Sequence, residues 1–365
     1  MNYMKICVLA PYDIGYNGGP NVVIRNLIRE WSKFHSVTLV TISNGSFSSN
    51  SVASVTLGGG RYFTWLIRSV GNLPNILNHD VIVDEGLTFP ILQCARMNKR
   101  TQSFLHFHGV PKANLWNEHL SVSEFRNHCE RLISMAAAKS IIVGSQLHRR
   151  AILASFGGFL NHKIHVIRHG VDLELFQRTK LGGHQILFVG NIGEGDLFVR
   201  KDVRTLLSAL SMISREIPDV SLVMVGTVGN TIERVCREFG VSSRVRWLGH
   251  LRQSELAKLF GESRVLVLPS TFDAYGQAVN EAMASGIPVV VSDRVGASEI
   301  VRTANCGLIF PTGNIRRLRD CLKAVLDSGG LASELGENGW SYAHKHLAWG
   351  LVAQRYIELF RTAAV

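Results

Sequence analysis

The sequence predicts an α/β chain made of two doubly wound parallel sheets in tandem. Three observations carry that prediction. The chain has 365 residues, enough for about two domains. Short β-branched runs alternate with amphipathic stretches along its length. The alternation pauses at Lys180-Leu181-Gly182-Gly183-His184, which reads as a linker, and then restarts. The expected division is residues 1–178, residues 179–345 and a closing helical segment, 346–365.

In the first half, strands are expected at Lys5–Ala10, Val37–Ile42, Val81–Asp84, Ser103–Phe107, Ser140–Val143 and Ile164–Ile167. Helical patterns fill Pro20–Lys33 and Glu118–Lys139. Pro20 suits a first helical turn, where its missing N–H has no partner to lose. Val23, Leu27, Ile28 and Trp31 then recur at helical spacing. In the second half, strands are expected at Gln185–Val189, Ser221–Val225, Val245–Leu248, Val265–Leu268, Val289–Ser292 and Leu308–Phe310. Helical patterns lie between them at Val203–Arg215, Thr231–Phe239, Ser254–Phe260 and Gln277–Ser285, and Trp340–Thr362 reads as a last helix. Ligands of such sheets bind beyond the carboxyl ends of the strands, so two sheets in tandem are expected to face each other across a cleft.

Composition removes several classes. Of the residues, 46% are hydrophobic and 18% charged, which supports a sizeable core and argues against disorder. The apolar runs stay near strand length, well short of the ~20 residues a membrane span needs. The opening MNYMKICVLAPYDIG is too short an apolar stretch for a secretory signal and reads as a strand. Six cysteines (7, 94, 129, 236, 306 and 321) form no CxxC pair, which predicts free thiols in a reducing, cytoplasmic compartment and no zinc site. The net charge of +11 is uneven: residues 1–178 carry 18 Lys/Arg against 10 Asp/Glu, and residues 179–365 carry 21 against 18. A basic front half fits an anionic partner, or an ordinary solvated surface. No nucleic-acid motif or aromatic-basic repeat is present, so nucleic acid is not an expected partner.

The most specific string is Asp273-Ala274-Tyr275-Gly276-Gln277-Ala278-Val279-Asn280-Glu281, followed by Ala-Met-Ala-Ser-Gly286-Ile287-Pro288. It follows the predicted strand Val265–Leu268. One acid lies in the loop, the other in the second turn of the next helix. Between them the N–H groups of Tyr275, Gly276 and Gln277 would crown a helix N-terminus, an anion site suited to phosphate. Gly276 lets backbone approach closely. The plainer reading is a helix cap with a solvated glutamate.

That string resembles the signature of the family 4 retaining glycosyltransferases of the GT-B fold, E-x7-E followed by A-M-A-x-G-x-P-V, with Asp273 in place of the first glutamate. Gly18-Gly19-Pro20 resembles the family's Gly-Gly loop, whose backbone meets the donor diphosphate. His108-Gly109 falls where the family places a histidine near the donor sugar, and Ser145 opens a helix at another habitual position. Val166 to Asp172 with Phe176 is similar to I-x-N-G-V-D…F, with His169 in place of Asn. Glu299 and Gly307 to Asn314 are similar to later loops. The phosphate loop departs most. The family reads V-G-R, then K-G after several residues; here Val189-Gly190-Asn191 leads to Arg200-Lys201, with Lys201 opening the helix at Val203.

The resemblance implies a retaining transfer of a sugar from a nucleoside-diphosphate sugar to a glycan or lipid-linked acceptor. The implied catalytic residues are His108, Asp273 and Glu281. Implied donor contacts are Gly18, Gly19, Asn191, Arg200, Lys201, Ala274, Tyr275, Gly276, Gln277 and Glu299. Within these, Glu281 meets the ribose, Asp273 and His108 the sugar, and Lys201 and Arg200 the departing diphosphate. No cofactor and no metal are expected: no D-x-D string occurs, and His106 and His108 have no Cys or carboxylate at matching spacing. The resemblance also implies that the last helix crosses back to the first domain. The alternative is a GT-B scaffold that binds carbohydrate or nucleotide with weak or no turnover, for which Asn191 and Asp273 argue. Arg61 to Val70 combines Tyr62, Trp65, Leu66 and Val70 in a stripe with Arg61 and Arg68. It reads either as a helix packed on its own sheet or as an interfacial helix at an anionic cytoplasmic membrane face.

Overall fold

A computed structural model describes residues 3–12, 19–41, 52–56, 68–86, 89–98, 100–109, 122–193, 196–227, 229 and 231–363. Gly18, Ile42, Arg61–Ile67 and Glu118–Ser121, which the sequence reading used, lie outside the described residues. The chain divides into two units, Met1–Arg168 with Trp349–Val365, and His169–Ala348.

The first unit carries β1 (Lys5–Ala10), α1 (Gly19–Trp31), β2 (Ser36–Thr41), β3 (Val52–Thr56), α2 (Leu73–Leu77), β4 (Val81–Asp84), α3 (Phe89–Met97) and β5 (Gln102–His106). It continues with α4 (Val122–Ala137), β6 (Ser140–Val143), α5 (Gln146–Phe156) and β7 (Ile164–Val166). Its seven strands run in the order β3-β2-β1-β4-β5-β6-β7, with all pairs parallel. The chain winds outward one way from β1 and the other way from β4. The switch point therefore lies between these two strands, where ligand sites of open parallel sheets form. β3 was not anticipated: it is an edge strand exposed over most of its length, so no apolar run marks it.

The second unit carries β8 (Gln185–Val189), α6 (Asp196–Lys201), α7 (Val203–Ile213), β9 (Ser221–Val225), α8 (Thr231–Glu238), β10 (Val245–Trp247), α9 (Gln253–Glu262) and β11 (Val265–Leu268). Then follow α10 (Gln277–Ala284), β12 (Val289–Ser292), α11 (Ser298–Ala304), β13 (Gly307–Phe310), α12 (Ile315–Asp327) and α13 (Gly329–His346). The strand order is β10-β9-β8-β11-β12-β13, again all parallel, with the switch between β8 and β11. β11 and β12 are buried throughout, which is why they read as unbroken apolar runs rather than alternating ones. This is the pair of Rossmann-like sheets expected of GT-B.

Three expectations need correction. Trp340–Thr362 is not one helix. α13 ends at His346, and α14 (Trp349–Thr362) starts afresh. The break at Leu347–Ala348 is an edge pairing: Val171 bridges Ala348, and its N–H donates to Leu347 O at 2.8 Å. The units part at residues 168/169 and 348/349, not at 178/179 and 345/346. The stretch read as a linker is instead fastened to the second unit. Thr179 N–H donates to Ser285 O and Gly182 N–H to Ser263 O, at 3.3 and 3.2 Å. α14 belongs to the first unit and packs on α1, its Tyr356 and Phe360 rings 5.7 and 5.6 Å from Trp31. Trp31 Nε1–H donates to Ala353 O at 3.3 Å.

Candidate active site

In the second unit the signature string sits beyond β11, beside the switch point. Asp273 N–H donates to Arg294 O, Gly296 N–H to Asp273 O and Ala297 N–H to Tyr275 O, at 3.0, 2.9 and 2.7 Å. These bonds staple the turn to the loop after β12. Gly276 caps α10 with φ +92°, and a Cβ there would lie 2.8 Å from Val295 Cγ1, so only glycine fits. Below the turn, Tyr275 and Asn280 both reach the His169 carbonyl, at 3.3 and 2.9 Å, and the His169 ring lies 4.0 Å from that of Tyr275. The backbone oxygen at position 169 anchors both side chains, a contact that histidine supplies as well as asparagine.

The two acids have opposite environments. Asp273 is one-fifth exposed and pairs with Lys201 Nζ at 2.7 Å. Its Oδ1 accepts the Tyr275 N–H at 3.2 Å. Burial raises the Asp273 carboxyl, but Lys201, that N–H and Arg200 outweigh it and hold the group below the usual range. Glu281 is only 4% exposed, and its carboxylate has no hydrogen-bond or ion-pair partner among the described residues. Burial pushes it up to about 7. A buried acid with unfilled acceptor capacity is suited to receive hydroxyl donors.

The sequence pattern predicts three free amides at this turn. The structure commits one of them, the Tyr275 N–H, to Asp273. Gly276 and Gln277 N–H remain without an acceptor among the described residues. Gln277 also fixes its side chain, donating from Nε2 to Gly170 O at 2.7 Å. Ala274 lies in the same turn, and Glu299 is in the first turn of α11.

Lys201 does not open the helix at Val203. It ends the short α6, and Asp202, in the left-handed region at φ 47°, caps α7. Reversing the chain at Asp202 lays the Lys201 stem along the end of β8, with Cε 3.5 Å from a Cβ position on Gly190. Arg200 contributes its carbonyl, which accepts the Thr271 N–H at 2.8 Å. Asn191 accepts the Thr227 N–H at 3.0 Å and ties the ends of β8 and β9 together.

In the first unit Gly19 begins α1, and there is open space where a side chain would stand. Ser145 caps α5 by accepting the His148 N–H at 3.0 Å. His108 follows β5, and its Nε2 lies 3.0 Å from Glu85 Oε2. Sequence reasoning missed Glu85. It lies more than twenty residues from both histidines, and only the adjacency of β4 and β5 unites them.

Comparisons with known proteins bear on the family and the fold. A family model described as "Glycosyl transferases group 1" matches residues 176–341, and one described as "Glycosyltransferase Family 4" matches residues 17–175. Residues 176–341 thus match a glycosyl transferases group 1 domain and residues 17–175 a family 4 glycosyltransferase domain, the two matches together spanning most of the chain. Among curated relatives, an MMP alpha-(1->4)-mannosyltransferase of Mycolicibacterium hassiacum is 29% identical over 204 residues, 55% of this chain and 49% of that one. The match thus spans about half the length of the relative. Two solved structures share the fold at low identity. Sucrose-phosphate synthase from Thermosynechococcus elongatus has a TM-score of 0.79 at 20% identity, covering 98% of each chain. Anabaena HepE in complex with UDP-glucose also has a TM-score of 0.79, at 17% identity, covering 98% of this chain and all of that one.

Proposed function

We propose that the chain is a retaining glycosyltransferase that moves a hexose from a nucleoside-diphosphate sugar to a glycan or lipid-linked acceptor. One observation carries the reading. Beside the switch point of the second sheet, a lysine-paired acid, two amides and a buried acid that find no partner among the described residues follow one another along a single turn and helix. Glu281 accepts the ribose hydroxyls. Asp273 and His108 hold sugar hydroxyls. Lys201 shares its charge between Asp273 and the diphosphate, with Arg200 nearby. The Gly276 and Gln277 amides face the phosphate, whose charge grows as the sugar leaves. On the retained face, the leaving phosphate oxygen takes the acceptor proton. Lysine and amide dipoles do the work a metal ion would otherwise do, and the chemistry calls for no cofactor. Likeness to a relative crystallised with UDP-glucose supports a nucleotide-sugar donor.

A second reading, a scaffold with weak turnover, draws on one observation: Asn191 spends its carbonyl on Thr227, so the loop offers no second cation where the family has arginine. One experiment separates the two. Thermal shift with UDP-, GDP- and ADP-sugars identifies a donor, since binding to the folded state raises Tm. Donor hydrolysis is then measured without acceptor. Stabilisation with slow hydrolysis supports the transferase. Stabilisation without hydrolysis supports the binding scaffold, and no stabilisation by any nucleotide sugar overturns both. No helix among the described residues is long and apolar enough to cross a membrane. The basic first half of the chain, with 18 Lys/Arg against 10 Asp/Glu over residues 1–178, supports contact with a lipid-linked acceptor at an anionic membrane surface.

A further inference from the structure

The buried end of the first sheet holds a chain of polar groups of which only His108 has a place in the roles above. Glu85 follows β4, and its side chain is wholly buried. His106 Nδ1 lies 2.7 Å from Glu85 Oε1. His108 Nε2 and the Tyr12 hydroxyl approach Glu85 Oε2 at 3.0 and 3.3 Å. On its far side, His106 Nε2 lies 3.1 Å from the hydroxyl of Tyr356. Tyr356 stands on α14, 250 residues along the chain, fully buried with its ring against Trp31.

Proton counting fixes the direction of each bond. Burial raises the Glu85 carboxyl, but the two histidines outweigh it and hold it well below the usual range, so it is an acceptor on both oxygens. His106 and His108 must therefore each present an N–H to it. Burial outweighs Glu85 at His106 and lowers its pKa, so this ring carries one proton, on Nδ1. Its Nε2 is then an acceptor, and the Tyr356 O–H donates to it. The same carboxylate requires a proton on Nε2 of His108.

We propose that Tyr356, His106 and Glu85 form a positioning relay through which the carboxyl-terminal helix sets the tautomer and pose of His108. The assignment of His108 to the sugar rests on the function proposed above; the relay itself does not. Glu85, His106 and Tyr356 are positioning residues that touch no substrate. Seating α14 on α1 thereby becomes a condition for a correctly presented His108, and this gives the returning helix a task beyond packing.

The test uses the full-length protein and two readouts. The first is long-range 1H–15N NMR of 15N-histidine protein, with the His108 signal identified by its loss in His108→Gln. The relay predicts His106 protonated on Nδ1 and His108 on Nε2. Glu85→Gln should release His108 into a tautomer mixture, and Tyr356→Phe should shift the His106 nitrogens while leaving Tm nearly unchanged. The second readout is hydrolysis of the donor found by thermal shift. Glu85→Gln should lower kcat by roughly 10–100-fold with KM little changed, the size expected for a displaced catalytic group. His106→Asn keeps an amide donor toward Glu85 and should retain more kcat than His106→Ala. A His108 signal with Nδ1 protonated, or one unmoved by Glu85→Gln, overturns the relay. So does equal loss of kcat in His106→Asn and His106→Ala. If the wild-type protein binds no nucleotide sugar, the function proposal fails, and NMR alone still decides the relay.

Discussion

Replacing Glu281 with glutamine removes an ionisable group from the base of the candidate donor site and leaves its shape. In the folded chain the carboxyl titrates at about 7, against an ordinary value of 4.5, because burial disfavours the charge. Below pH 4.5 folded and unfolded forms are both protonated, and the group contributes nothing. Between about 4.5 and 7 the unfolded chain ionises while the folded one keeps its proton. Unfolding then releases a proton, and stability falls as pH rises. Above 7 the full penalty is present. At 1.36 kcal/mol per unit, a rise of about 2.5 units costs roughly 3 kcal/mol. The Glu281→Gln protein should match wild type near pH 4.5 and exceed it increasingly to pH 8. There the gain should reach at most about 6–12 °C in Tm for a unit of this size. Differential scanning calorimetry from pH 4.5 to 8 measures this directly. The same carboxylate should release a proton when ribose hydroxyls bond to it. Titration of UDP at pH 7 in two buffers of different ionisation enthalpy should show proton release in wild type and none in Glu281→Gln. A Tm difference that is flat with pH would refute the reasoning, because Glu281 would then be ionised throughout.

Lys201→Ala should weaken nucleoside diphosphate binding by about 10–100-fold, the range of a lost charge-assisted bond, and leave nucleoside binding nearly unchanged; calorimetry giving equal losses for both would contradict the phosphate role. Gly276→Ala forces a Cβ onto Val295 at φ +92°, which should cost about 1–3 kcal/mol and be read as a lower Tm with reduced donor binding. The protein should float with anionic vesicles and lose that association as salt rises from 0.05 to about 0.5 M, where screening shortens. Flotation with neutral vesicles alone would remove the membrane proposal.

Much of the fold was legible because fully buried parallel strands leave a plain trace. Val81–Asp84, Ser140–Val143, Gln185–Val189, Ser221–Val225, Val265–Leu268 and Val289–Ser292 occur where the apolar runs placed them. The exposed edge strand β3 left no such trace. The helix break at Leu347–Ala348 was hidden because helical periodicity runs through it and only a pairing with Val171, far off in sequence, reveals it. The same division holds within the candidate site. Asp273, Gly276 and Glu281 lie on one contiguous turn and helix, so their spacing shows them together. Glu85 and Tyr356 join His106 only through sheet order and a helix that returns from the end of the chain. No local pattern encodes such contacts.

The departures from the family pattern are explained by what each residue bonds within the second unit. Aspartate at 273 is short enough for Oδ1 to accept the N–H two residues on, a bond that shapes its own turn, while Oδ2 meets Lys201. A glutamate carries its carboxylate one methylene further and would surrender that local bond for reach. Asparagine at 191 caps the Thr227 N–H with its carbonyl, which an arginine, having only donors, cannot do. Positive charge beside Asp273 comes instead from Lys201, 2.7 Å from its carboxylate, and from the neighbouring Arg200. The loop thus trades a cation at position 191 for a better-satisfied backbone. The expected consequence is a site that orders itself before the donor arrives and grips the diphosphate less tightly than one with an added arginine at position 191.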